Sequence, residues 1–225
     1  MDGYDAYWIG FGDIHGSVDN ARRIPGLAGA SAVLVTGDLT TRGSLEQGQR
    51  IIEAVRAVNP RVLAQIGNMD IPGLADWMEA EGISLHARAH DLGHGVGVLG
   101  AGFSSPTPFG TPSEVPDPEL GRFLDQAHAQ AGGFRQLIAV PHDPPHGTAA
   151  DRLPNGMHVG SKAVRAFVER VQPAVCLTGH IHEARSLDRL GRTAVVNPGP
   201  LAAGGYAVIG LRDGVLTAEL KVLGA

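Results

Sequence analysis

Short apolar runs punctuate the chain, and most of them break off at a small or polar residue. Ala6–Phe11 runs into Gly12-Asp13, 32–36 into Gly37-Asp38, 61–66 into Gly67-Asn68, 136–140 into Pro141-His142, and 174–178 into Gly179-His180. Runs this short, apolar on successive residues rather than alternate ones, read as strands buried on both faces and followed by a polar loop. Amphipathic stretches lie between them. Ser44 with Gln47 forms a capping box and opens a helix to about Val58, which Asn59-Pro60 ends. A shorter helix over 72–81 is closed by Gly82. Asp117-Pro118 reads as N-cap and first turn of a helix to about Ala131, and Ser161 caps a helix over 162–171 that Pro173 stops. Beyond Gly179 the pattern changes to two hairpins, 185–190 with 193–196 and 206–211 with 215–222.

Strand–helix alternation followed by a β-rich tail suits a mixed sheet, or two packed sheets flanked by helices. The stretch 95–100, GVGVLG, has the spacing of a dinucleotide fingerprint, but Ser104-Ser105-Pro106 follows where a helix would be needed. It reads as a twisted strand. Residues 102–116 carry four prolines and lie next to the pocket-forming loops, which suits either a lid or a plain surface connection.

With 225 residues the chain is long enough to bury a sizeable core. The net charge of -5 and the lack of a Lys/Arg cluster argue against a general nucleic-acid surface. Cys176 is the single cysteine, so no intrachain disulfide can form; with an acidic start that lacks the pattern of a signal peptide, a cytoplasmic location is expected. No apolar stretch reaches the roughly 20 residues of a membrane span. A homo-oligomer remains compatible with the composition.

The strand ends collect an unusual set: Asp13 and His15 in Gly-Asp-Ile-His, Asp38, Asn68, His142, and His180 and His182 in Gly-His-Ile-His. In α/β sheets ligands bind at the carboxyl ends of the strands. Oxygen ligands mixed with imidazoles suit Mn, Fe or Zn. Seven ligands exceed one closed site and match two sites sharing an Asp. As single residues each has a plainer role, an Asp capping the next helix or a hairpin-edge His, and it is their coincidence that argues for metal.

In this combination and order the blocks resemble the calcineurin-like metallophosphoesterases, closest to the Icc-related predicted phosphoesterases. The resemblance spans residues 8 to 200 and includes His142-Asp143-Pro144-Pro145-His146-Gly147 and Asn197-Pro198-Gly199. It implies one calcineurin-like domain over residues 1–225, folded as a four-layer α/β/β/α sandwich of two mixed sheets flanked by helices. It further implies two divalent transition-metal ions: Asp13, His15, Asp38 and His182 holding the first, and Asp38, Asn68, His142 and His180 the second. Two dications against two carboxylates would leave a net charge of about +2 for a phosphate, and the resemblance implies that a water made acidic by both ions would attack phosphorus in line. Asp38, Asn68 and His142 are then the catalytic surroundings, with Asn68, His142 and His146 as substrate contacts.

One position departs from the family. A histidine often follows the Gly-Asn, near the leaving-group oxygen; here Met69 stands there, and a thioether donates no proton. Either Asp70, His146 or another group acts as the acid, or the substrate has a good leaving group. The expected reaction is hydrolysis of a small-molecule phosphate ester, with a diester or activated ester favoured. The alternatives are a non-catalytic interaction module of the same fold and a metal-dependent hydrolase of a non-phosphate ester.

Overall fold

The computed structural model describes residues 3–224. Among the described residues, eleven strands form two mixed sheets. The first contains β1 (Ala6–Phe11), β2 (Val33–Val35), β3 (Val62–Ala64), β10 (Gly205–Arg212) and β11 (Val215–Val222), in the order β11-β10-β1-β2-β3. The second contains β4 (Ala89–Asp91), β5 (Val96–Ala101), β6 (Gln136–Pro141), β7 (Val175–Leu177), β8 (Ser186–Leu190) and β9 (Thr193–Asn197), in the order β4-β5-β6-β7-β9-β8. β1, β2 and β3 are mutually parallel, as are β5, β6, β7 and β9. The helices are α1 (Leu45–Arg56), α2 (Pro72–Ala80), α3 (Asp117–Ala129) and α4 (Lys162–Val171).

The period of two along each strand explains the layers. Trp8 and Leu34 face the second sheet and meet Ile138, Val140, Val175 and Leu177 in a core between the sheets. Ile9, Val33 and Val35 face outward onto α1 and α2 through Ile52, Val55, Leu74 and Met78. On the other side Ala139, Cys176 and Val195 face α3 and α4 through Leu124, Val164 and Phe167. Strands buried on both faces have apolar residues in succession, which is why the runs in the sequence do not alternate. The result is the four-layer α/β/β/α sandwich. At Gly10 the sheets pack too closely for a side chain: a Cβ there would lie 2.3 Å from Leu177 Cδ2. Among the described residues no helix is long and apolar enough to cross a membrane.

Most expected elements form, with three differences. The observed strands β2, β3 and β7 are shorter than the apolar runs that contain them. β4 has a half-buried, largely polar face and carried no strand pattern. Asp117 is the first residue of α3 rather than its cap; its carboxylate instead accepts hydrogen bonds from Ser161 Oγ and, at 3.2 Å, from the Ala163 N–H at the start of α4.

Candidate metal centre

The parallel strands of both sheets point their carboxyl ends to one edge. The loops after β1, β2 and β3 deliver Asp13, His15, Asp38 and Asn68; those after β6 and β7 deliver His142, His180 and His182. Asp13, His15, Asp38 and His180 all have left-handed backbone, with φ of 46°, 47°, 50° and 69°. Such a conformation costs about 1–3 kcal/mol for a residue with a Cβ and persists only where its surroundings enforce it. Here the loops enforce one another: the Asp13 N–H donates to Gly37 O at 3.0 Å, and the Ile14 and His15 N–H groups donate to Asp38 O at 2.8 and 3.0 Å. Gly67 allows the third loop to close in, because a Cβ there would lie 2.1 Å from Asp38 Oδ1 and 2.5 Å from His142 Cε1.

The seven side chains converge as two groups. Asp13, His15 and His182 have ligand atoms within 4.8 Å of one another, and so do Asp38, His142 and His180. In the first, His15 Nε2 lies 3.0 Å from His182 Nε2, which is itself 3.7 Å from Asp13 Oδ1. In the second, Asn68 Oδ1 lies 3.1 Å from His142 Nε2 and 2.8 Å from His180 Nδ1. Asp38 faces both, with Oδ2 3.7 Å from His15 Nε2 and Oδ1 3.6 Å from His142 Nε2.

The donor set fits cations. His142 Nδ1 sits 3.1 Å from Thr36 O, a carbonyl that can only accept, so Nδ1 carries the proton and Nε2 presents a lone pair. Burial, with His180 nearby, pushes the His142 pKa down to about 3, so the ring is neutral. Its lone pair therefore faces the lone pairs of Asn68 Oδ1, an arrangement that a cation between them turns from repulsive to attractive. Asp13 Oδ2 is buried and has no hydrogen-bond partner among the described residues. Burial works to raise the Asp13 carboxyl, but the imidazoles around it, His182 first, hold it below the usual carboxylate range. Asp38 goes the other way: burial, then the charges of Asp13 and Asp70, raise it well above that range.

The loop over 102–116 is stitched to the ligand loops and walls the site. The Ser105 N–H and Oγ donate to Asp143 Oδ2 at 2.8 and 2.6 Å. The Ser113 N–H donates to Asn68 O at 3.0 Å and Ser113 Oγ to Asp70 O at 2.6 Å. Asn68 Nδ2 donates to Thr111 Oγ1 at 2.9 Å, and Thr111 Oγ1 donates to Glu114 Oε1 at 2.6 Å. With His15, Asp38, Asn68, His180 and His182 in its lining, a cavity of about 1010 Å³ opens over the two groups, and Met69 lines it too.

Two candidates take other places. Asp70 is fully buried; its carboxylate accepts from the Leu39, Thr40 and Gly67 N–H groups and from Thr40 Oγ1, at 2.8–3.1 Å. It holds the Asp38 and Asn68 loops together and lies outside the cavity lining, so the expectation of a proton donor is corrected. His146 also lies outside that lining, with Nδ1 3.6 Å from the buried Asp151, which His158 Nδ1 approaches at 2.6 Å. Thr111 and Glu114 went unrecognised in the sequence; their only signal was the proline-rich loop that holds them.

The description "calcineurin-like phosphoesterase" belongs to the family whose model matches residues 9–184. The uncharacterized protein MJ1162 of Methanocaldococcus jannaschii is 31% identical over 199 residues, 85% of this chain and 87% of that protein. The crystal structure of TT1561 of Thermus thermophilus superposes with a TM-score of 0.73 at 18% identity, covering 97% of this chain and 99% of that one. A 5′-nucleotidase from Candida albicans gives 0.59 at 13% identity, covering all of this chain and 52% of that chain, so this fold makes up about half of the nucleotidase. The strand-end ligand groups, the layer order and the matched span lead to one conclusion: the chain belongs to the calcineurin-like phosphoesterase family.

Proposed function

We propose that the protein hydrolyses a small-molecule phosphate ester with two divalent cations, one held by Asp13, His15, Asp38 and His182 and the other by Asp38, Asn68, His142 and His180. The observation that carries this reading is Asp38, a single carboxylate whose two oxygens each face a different histidine group. Cations so held supply positive charge against the phosphate oxygens and lower the pKa of water toward neutrality. The chain's own groups do the rest. Asn68 contributes an oxygen without a charge, so the surplus positive charge of about +2 is kept for the substrate. The Met69 N–H donates to Asp38 Oδ1 at 2.8 Å and fixes that carboxylate, while the Met69 side chain offers the leaving group no proton. A diester or activated ester, whose leaving group departs without an acid, is the favoured substrate. The complete ligand set favours catalysis over a purely interacting role.

Two measurements test this. Elemental analysis after Mn loading should approach two ions per chain, and the loaded protein should turn over bis(p-nitrophenyl) phosphate. Asp38→Asn should lower both. One ion or fewer in the wild type, with Asp38→Asn unchanged, would remove the shared-carboxylate assignment. Met69→His should raise the rate on alkyl esters, towards the 10²–10⁴-fold that general acids typically contribute, and leave the aryl-ester rate nearly constant.

A further inference from the structure

The cavity over the metal centre has two unlike ends. Its floor holds the charged and polar ligand side chains; its outer part is built by residues 105–111 and 153–159. Phe109 is 78% exposed and Met157 55% exposed, and both line this outer part. A single exposed apolar side chain needs no explanation. Two from separate segments on one cavity do, since each leaves apolar surface in water that a bound group could cover. The apolar wall continues to the ligands themselves: Met69 follows Asn68, and Ile181 stands between His180 and His182.

The hydroxyl groups of the loop that walls the outer cavity are already committed. Ser105 Oγ gives its hydrogen to Asp143 Oδ2 at 2.6 Å. Thr107 Oγ1 and Thr111 Oγ1 give theirs to Glu114 Oε1, both at 2.6 Å. Arg42 Nη2 donates to the carbonyls of Phe109 and Gly110 at 3.1 and 3.0 Å, which fastens the loop carrying Phe109. The hydroxyl protons thus point into the loop, and the wall offers rings and methyl and thioether groups to the cavity. Glu183 and Arg42 stand on its lining with opposite charges, so charge alone does not select for a second phosphate. A sugar or nucleobase placed here would give up hydrogen bonds to water and find mainly the remaining Arg42 N–H groups in exchange.

We propose that the outer cavity is a subsite for an apolar group, so that the substrate is a phosphodiester or activated phosphate ester carrying a hydrophobic aryl or alkyl group rather than a nucleotide or sugar phosphate. The proposal rests on the phosphoesterase reading of the metal centre. Non-hydrolysable phosphonates separate the subsite from leaving-group chemistry. Calorimetric titration of the Mn-loaded full chain would compare methyl-, octyl- and 1-naphthylmethylphosphonate with a thymidine 5′-methylenephosphonate. Burial of a few methylenes, each worth about fourfold, predicts that the octyl or naphthylmethyl compound binds ~10-fold or more tightly than the methyl compound. Comparing these two compounds tells a chain from a ring. Phe109→Ala and Met157→Ala, both at exposed positions, should each erode that ratio about threefold or more. Equal affinities across the series, or tightest binding of the thymidine compound, would overturn the proposal. Turnover of bis(p-nitrophenyl) phosphate is measured alongside. Turnover with a flat phosphonate series sinks the subsite alone; a steep series without turnover sinks the esterase reading alone.

Discussion

Asn68 could present either end of its amide to His142 and His180, and two residues outside the ligand set decide which. Glu114 accepts the Thr111 hydroxyl hydrogen, so Thr111 Oγ1 has only a lone pair left for Asn68. The amide nitrogen must face Thr111, and Oδ1 must face the imidazoles. Hydrogen bonds from the threonines outweigh the effect of burial and hold the Glu114 carboxyl down at about 2, so it stays an acceptor throughout the neutral range. Thr111→Val should therefore weaken the ion held by Asn68, His142 and His180 by roughly 10–100-fold, the usual cost of losing a partner behind a ligand, and leave the other ion nearly unchanged. A calorimetric Mn titration with two resolved phases checks this, and equal weakening of both phases would show that Thr111 does not act through Asn68. The candidate ligands stood out in the sequence because each sits at the end of an apolar run, mostly behind a glycine. Thr111 was not, because its role is set by a partner 43 positions away in the chain. Asp70 misled for a similar reason: the sequence puts it beside the site, and only the packed loops show its carboxylate occupied by backbone N–H groups.

Among the elements, the turn before β4 carries a second titrating group. His86 packs against Phe103 and against Phe123 of α3, with ring centroids 5.0 and 4.4 Å apart, and its Nδ1 accepts the Gly102 N–H at 3.2 Å. Burial pushes its pKa down from 6.5 to about 4. The unfolded chain protonates this ring first as pH falls, so the stability that depends on neutral His86 is whole above about pH 6.5 and is lost between there and about pH 4. Urea unfolding at pH 7.5 and 4.5 should show wild type losing on the order of 1–2 kcal/mol more than His86→Gln, a figure reduced for partial contact with solvent. An equal loss in both proteins would place the acid sensitivity elsewhere. At this scale the sequence was most informative for long amphipathic helices with a cap, such as α1 behind Ser44 and Gln47, whose reciprocal hydrogen bonds form. It was least informative for β4, where three half-exposed residues take their strand character from pairing with β5 rather than from any pattern of their own.

For the whole molecule, the candidate ligands make the metal centre a clasp between the sheets. Each proposed ion has ligands after β1, β2 or β3 of the first sheet and after β6 or β7 of the second, so neither can form while the sheets are apart. Free Mn at 100 times Kd should add about 2.7 kcal/mol per site, roughly 5–10 °C in Tm. A chelator should reverse the rise and Asp38→Asn should blunt it; a Tm indifferent to metal in the wild type would mean that the ligands hold no ion across the layers. The topology also has a consequence for synthesis. β1 lies between β2 and β10, with Ala6 opposite Leu211, so one edge of β1 waits for a strand made ~200 residues later. At about 5–20 residues per second the intervening ~200 residues take roughly 10–40 s to emerge, and for that interval the apolar strand AYWIGF has an open hydrogen-bonding edge. Ribosome-bound chains stalled before Gly205 should accordingly associate with chaperones or with one another, while released chains that include β10 and β11 bury that edge.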